Sequence, residues 1–496
     1  MKRKRWIFGI ILVVAFSITS LLSPVAAFAS EARHAPQPDG GLNHAQRQEL
    51  YQIARQTWRF FDADTDPQTH LPLDNIGFQG APARSADTSP TNIGVYFWSV
   101  VSAEDLGIID HHAALQRVNA TLSEVEKLSK WQGFLFSWYD TSNGHRISGP
   151  GGTDQEGQPV KGAFISTVDN AWYATGLILV RQDFPTLASR ATTLLNAMNF
   201  GIFYDNGDES TNINAGQMYG GYNADEGPAT FNYGAFNTET RIAAYVGIGT
   251  HTMPGDVWWR TWRTLPASFT WQGQTPQGYN QTYADPQSGK KFTVFEGHYT
   301  SNNINFVPSW GGSMFEGLMN NLIIPETSAG KRSFGLNDKL YAQAQIAYDT
   351  QTLHYPVWGL SPSSTPDDTG NYDAYGAHGL AQNANSSPYD ETAVTPHASF
   401  LALTVDPQAA MQNIQKLLTN YSDVYGPYGF YDAVNPTTGQ VGHRYLVLDQ
   451  SMIMAALDNV LRDNQMQRHF VHDPVIRADL PYLQEESFSL SQPKSK

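Results

Sequence analysis

Between residues 43 and 464 the chain repeats one alternation: a helical stretch polar along one face, then a helical stretch apolar nearly all round. Periodicity predicts twelve segments, at 43–64, 89–107, 110–129, 166–182, 185–203, 237–249, 254–265, 311–323, 332–353, 393–404, 406–422 and 448–464. Ala113-Ala114-Leu115-Gln116-Arg117-Val118 is of the first kind; Ala171-Trp172-Tyr173-Ala174-Thr175-Gly176-Leu177-Ile178-Leu179 and Met452-Ile453-Met454-Ala455-Ala456-Leu457 are of the second. A helix apolar on every side must be surrounded by protein. Six such helices alternating with six half-exposed ones predict two concentric rings, an all-α (α/α)6 toroid. Short turns such as Leu106-Gly107-Ile108-Ile109-Asp110 suit pairing between the rings. Gly-aromatic-Asp segments follow outer helices at Gly133–Asp140, Gly201–Asp205 and Gly429–Asp432, and Asn143-Gly144 predicts a small β-hairpin in a loop.

Composition narrows the chemistry. Among 496 residues there is no cysteine, which excludes disulfides, thiolate nucleophiles and Cys-ligated metals. Asp and Glu outnumber Lys and Arg by 46 to 31, which argues against nucleic acid as a partner. Only 16% of residues are charged, while there are 12 Trp, 24 Tyr and 25 Phe. Such a surface suits neutral polyhydroxylated ligands, whose ring faces stack on aromatics. No H-E-x-x-H, G-x-S-x-G, P-loop or G-x-G-x-x-G pattern occurs, and metal-free, cofactor-free chemistry is expected.

Lys2-Arg3-Lys4-Arg5, the apolar run Trp6–Leu22 and Ala27-Phe28-Ala29 read as a bacterial-type export signal over residues 1–29. After it come a flexible leader (30–42), one large domain (43–472) and a polar, loosely held tail (473–496). The expected product is a monomer outside the cell or in its envelope, not held in a membrane once the signal is removed.

In a toroid the inner helices all run one way, so their N-termini meet at one end. Those starts carry Asn92, Asp169, Glu239, Glu316, Asp390-Glu391 and Asp449: an acid at five of six. An acid in a first turn complements the helix dipole. Five converging on one cavity from buried helices point beyond capping, since burying carboxylates is costly. A pair of them, one protonated and one ionised, is what glycoside hydrolysis requires.

Several ordered motifs resemble a known family. Thr88–Gly94, Phe134–Thr141 and Ser166–Asp169 are similar to the toroidal glucoamylase-like domain of cyclic β-1,2-glucan synthases. Trp310–Glu316 and Val357–Ser361 are similar to the wider glucoamylase-like group, and Tyr428–Ala433 and Tyr445–Gln450 to endo-β-1,2-glucanases. The resemblance implies an (α/α)6 fold and hydrolysis or transfer at β-glucosidic bonds of a polysaccharide or oligosaccharide. It places the proton donor at Glu239, the base side at Asp449 and a further cavity acid at Asp169. Candidate substrate-binding residues are Asn92, Trp138, Trp310, Glu316, Trp358, Tyr375, His397, Tyr431 and Gln450. Thr238 and Thr240 around the acid, and Ser451-Met452 after Asp449-Gln450, depart from the glucanase pattern and bear on linkage. A polysaccharide lyase and a non-catalytic glycan-binding protein are the alternatives on the same scaffold.

Overall fold

The computed structural model describes residues 41–77 and 84–490; the expected signal and most of the expected leader lie outside these residues. Each of the twelve expected segments contains a helix. Six helices are wrapped by protein: α2 (Pro90–Asp105), α4 (Thr167–Asp183), α6 (Thr240–Gly249), α8 (Met314–Leu318), α11 (Pro396–Ala402) and α13 (Val447–Leu461). Six lie outside them: α1 (His44–Asp64), α3 (His111–Val125), α5 (Ala188–Asn196), α7 (Asp256–Arg260), α10 (Phe334–Ala347) and α12 (Pro407–Asn420). A short α9 (Glu326–Ala329) precedes α10. The predicted amphipathy is met in α12, which buries Ala410, Met411, Asn413, Ile414 and Leu417 on one side, but not in α10, which is buried nearly all round because α9 and the strand Ile304–Phe306 cover its outer face.

Neighbouring inner helices pack in the order α13, α2, α4, α6 on one side and α13, α11, α8 on the other. The gap between α6 and α8 is spanned by Arg241, whose Nη2 donates to the Gly317 carbonyl at 3.0 Å. Small residues permit the tightest crossing: a Cβ on Gly94 of α2 would meet the Trp172 carbonyl oxygen of α4 at 2.3 Å. Reciprocally, a Cβ on Gly176 would meet Gly94 Cα at 2.7 Å. Helix starts are capped locally, Ser89, Ser166 and Ser313 each accepting an amide of the first turn.

Two features differ from the sequence reading. An antiparallel sheet of Gln277–Ala284, Lys291–Ser301 and Ile304–Phe306 lies between α7 and α8. Tyr283 on this sheet stacks on Trp259 of α7 at 5.0 Å between ring centroids. The expected loose tail is instead folded over residues 473–490, as α15 (Pro474–Arg477) and α16 (Leu480–Glu485), which follow α14 (Gln465–Val471). Its polarity misled the sequence reading because Glu486 is buried against Arg263 and accepts from Trp258 Nε1 at 3.0 Å. Phe488 is buried beside it and its amide donates to the Arg332 carbonyl at 2.8 Å. Among the described residues no helix is long and apolar enough to cross a membrane.

Candidate active site

The inner-helix starts border two cavities that share one residue. The larger, about 700 Å³, is lined by Asp74, Asp87, Thr91, Asn92, Trp138, Asp169, Glu239, Phe315, Tyr372, Arg444 and their neighbours. The smaller, about 410 Å³, is lined by Glu239, Glu316 and seven aromatics: Phe231, Tyr233, Trp262, Phe269, Trp271, Trp310 and Tyr389. Glu239 therefore stands at the junction, with acids on one side and flat rings on the other.

Glu239 is the N-cap of α6 but caps nothing with its side chain. Trp172 of α4 donates its indole N–H toward Oε2 at 3.4 Å. Burial foremost, then the charge of Asp169, raises its pKa to about 8; the Trp172 N–H opposes this, and Glu316 adds to it. At neutral pH the carboxyl is mostly protonated. Asp169 sits in the first turn of α4 and accepts from Thr91 Oγ1 of α2 at 2.5 Å. Glu316 is held differently: it accepts from Ser309 Oγ at 2.8 Å, from the Gly311 and Ser313 amides and from Ser313 Oγ in a capping box. With its oxygens so occupied, Glu316 shapes the smaller cavity and tunes Glu239 from a distance.

Asp449 is buried in the first turn of α13 and lines neither cavity. Its Oδ2 lies 3.1 Å from His397 Nδ1, and its charge acts on Asp74, Asp432 and Tyr372, which places it just behind the larger cavity. Asp432 in turn accepts from Ser364 Oγ and the Leu446 amide.

Some site residues escaped the sequence reading. Asp74 lines the larger cavity, its carboxylate receiving Asn75 Nδ2 and Asn92 Nδ2, both at 2.9 Å. Burial raises its pKa, the two amides oppose that, and Asp449 adds to the rise. Its carbonyl accepts the Val447 amide at 2.9 Å, so Asp74 is tied directly to the start of the helix that carries Asp449. Asp87 beside it is pushed up to about 6, by burial and then by Asp74. Of the aromatics of the smaller cavity, only Trp310 was singled out.

Other expectations need correction. Asp390 and Glu391 do not start an inner helix: α11 begins at Pro396, and Asp390 caps a turn at Thr392 while Glu391 accepts the His378 amide. The residue that the α11 first turn presents is His397, facing Asp449. Trp358, Tyr375, His397, Tyr431 and Gln450 line neither cavity. Trp358 and Tyr431 belong to the main apolar core and Tyr375 to a small cluster with Ala393 and Ala433. Gln450 spends its amide on the Phe430 carbonyl at 3.1 Å. Asn92, Trp138, Trp310 and Glu316 do lie on cavity walls.

Fold and site define a double layer of helices with an acid-lined cleft at the inner-helix starts, continued by an aromatic cavity. Residues 232–474 match the Glycoamylase family model, and residues 52–227 match a family described as of unknown function, DUF3131. The region 232–474 is thus similar to the glucoamylase-like family. The chain is 26% identical to the cyclic β-(1,2)-glucan synthase NdvB of Rhizobium meliloti, over 89% of this chain and 18% of the synthase. It is 21% identical to an exo β-1,2-glucooligosaccharide sophorohydrolase of Parabacteroides distasonis, over 88% of this chain and 57% of that one. The chain therefore spans about a fifth and about three fifths of these two relatives. Among solved structures, the endo-β-1,2-glucanase of Chitinophaga pinensis in complex with sophorotriose and glucose has a TM-score of 0.64 at 18% identity, covering 88% of this chain and 98% of that one. The β-1,2-glucanase of Parabacteroides distasonis has a TM-score of 0.67 at 17% identity, covering 88% and 60%.

Proposed function

We propose that this chain is an exported glycoside hydrolase of (α/α)6 architecture that cleaves a β-glucan, with β-1,2-linked glucan the leading substrate. The observation that carries the reading is the place of Glu239, a carboxyl whose pKa burial and Asp169 push up to about 8, where an acid-lined and an aromatic cavity meet. The relatives' β-1,2-glucan chemistry supports the choice of linkage. Met1–Ala29 supports export.

The chemistry assigns roles in turn. A glycosidic bond breaks when its bridging oxygen is protonated as the C1–O bond lengthens and positive charge builds on the sugar ring. Glu239 supplies that proton. The sugar that becomes cationic lies in the larger cavity, where Asp74, Asp87 and Asp169 face it, and the leaving sugar lies among the rings of the smaller one. Water then adds to C1 and loses a proton to the base side. Asp449 takes this part through a bridging water or a substrate hydroxyl, because it stands behind the wall rather than on it. Asn92, Asp74 and Arg444 bind hydroxyls, while Trp138, Trp271 and Trp310 supply stacking faces.

A pH profile tests the assignment. Catalysis needs protonated Glu239, so kcat/KM should hold at neutral pH and fall tenfold per unit above an apparent pKa near 8. A profile flat from pH 6 to 10, measured on a β-1,2-glucan within the range where the fold is intact, removes Glu239 as the acid.

A further inference from the structure

Among the aromatics of the larger cavity, Tyr372 is left unused by the roles above. Ser363–Ser364 and Tyr372–Asp373 pair as a tight antiparallel hairpin, with Ser364 opposite Tyr372. Ser364, Gly370, Asn371 and Tyr372 of this strap line the larger cavity. Tyr372 is 60% exposed and belongs to none of the apolar clusters. On the wall of the cavity, an exposed ring is available to stack on a ligand held there. Two other exposed large aromatics, Phe231 and Trp271, line the smaller cavity. Tyr372 does for the acid-lined side what those rings do for the other.

The strap is pinned at two places. At its root, Ser364 Oγ donates to Asp432 Oδ2 at 2.7 Å. At its tip, the His443 amide donates to Asp368 Oδ1 at 2.6 Å, and His443 Nδ1 lies 2.9 Å from Asp368 Oδ2. His443 Nε2 reaches Asp423 at 2.7 Å on its other side. Asp368 and Gly370, with φ of 58° and 78°, turn the chain back so that Tyr372 returns over the cavity. The place of Tyr372 deep in the cleft, foremost, and then the charges of Asp449, Glu239 and Asp74 hold its phenol well above its ordinary range. The ring is thus open to the cleft while its hydroxyl lies among the acids.

Resting on the reading of the site as a β-glucan hydrolase, we infer that Tyr372 is the roof of the central sugar subsite. Its ring stacks on the glucosyl unit beside Glu239, and the His443–Asp368 pin holds it in register. It is a substrate-positioning and specificity residue, and nothing in the bond-breaking step requires its proton.

The test uses the intact protein and β-1,2-linked gluco-oligosaccharides. Tyr372→Ala should raise KM roughly tenfold, the scale of one lost stacking contact, with kcat moved much less. Tyr372→Phe, which keeps the ring, should recover most of that loss, to within about threefold. His443→Ala should raise KM in the same direction, and the double variant should be no worse than Tyr372→Ala alone, since both act through one contact. Wild-type KM in Tyr372→Ala, a Phe variant as impaired as the Ala variant, or additive effects of His443 and Tyr372 would each overturn the inference. Calorimetric binding of the same oligosaccharides to Glu239→Gln, with and without Tyr372→Ala, separates it from the functional reading. A tenfold loss of affinity there sustains the Tyr372 subsite even if wild type hydrolyses no glucan. Equal affinity overturns it even if wild type is active, and absence of binding overturns both.

Discussion

Glu239→Gln is expected to lower turnover of β-glucan by roughly 10²–10⁴-fold, the usual contribution of a positioned general acid, while leaving the circular dichroism spectrum unchanged. Gln keeps the shape and can accept from the Trp172 indole, but it has no proton to give. The same substitution should make the protein more stable at pH 8. Folded Glu239 titrates near 8, well above the ordinary value of 4.5. Its preference for the proton contributes stability that is fully present below the ordinary pKa and is lost as pH rises through about 8. Gln has no such term, so the thermal midpoint of the variant should pull ahead of wild type between pH 5 and pH 8 and match it more closely at pH 4. A variant equally inactive but no more stable at pH 8 would mean that Glu239 is not held protonated by the fold.

Arg241→Met should cost about 3–5 kcal/mol, the range for removing one partner of a buried ion pair. Arg241 lies two residues after the acid and is fully buried. Its Nε and Nη2 donate to Glu326 at 2.9 and 3.1 Å, its Nη1 to Asn237 Oδ1 at 2.8 Å and its Nη2 also to the Gly317 carbonyl. Its guanidinium lies 4.1 Å from the centre of the Phe334 ring. One side chain thus joins α6, α8, α9 and α10, and Met would leave the Glu326 carboxylate buried without a cation. Pairing Arg241→Met with Glu326→Gln should return part of the loss, because the stranded charge is then gone. Denaturant unfolding of the three proteins measures this. A loss under 1 kcal/mol in the single variant would show that the ring does not depend on this tie.

What could be read from sequence was whatever local pattern dictates. Twelve helical segments follow from periodicity, and Asp169, Glu239, Glu316 and Asp449 follow from their places at the starts of helices too apolar to be outside. Asp74 could not be found that way. It lies on a short stretch whose partner, Val447, is at the opposite end of the chain, and only that pairing brings it to the cavity. Phe231, Phe269 and Trp271 likewise sit in loops, where no period marks which side a ring faces, and Trp262 lies beyond Arg260, where the helix expected over 254–265 ends. The sequence does carry a signal against Asp390 and Glu391: Pro396, the preferred first residue of a helix, marks the start of α11 and puts His397, which faces Asp449 behind the larger cavity, in its first turn. Trp358, Tyr375 and Tyr431, candidate substrate-binding residues by sequence, stand in Gly- and Asp-rich segments, which suit a sugar platform. Such segments are also how the chain turns back into the core, which is where these rings pack.

The most direct test of the hydrolase reading is product analysis over a panel of linkage-defined β-glucans and gluco-oligosaccharides, run side by side with wild type and Glu239→Gln at pH 6 and followed by chromatography and mass spectrometry. The account predicts saturated gluco-oligosaccharides released from β-1,2-linked glucan by wild type and not by the variant. Unsaturated products, turnover undiminished in Glu239→Gln, or sugar binding with no cleavage of any glucan would contradict it.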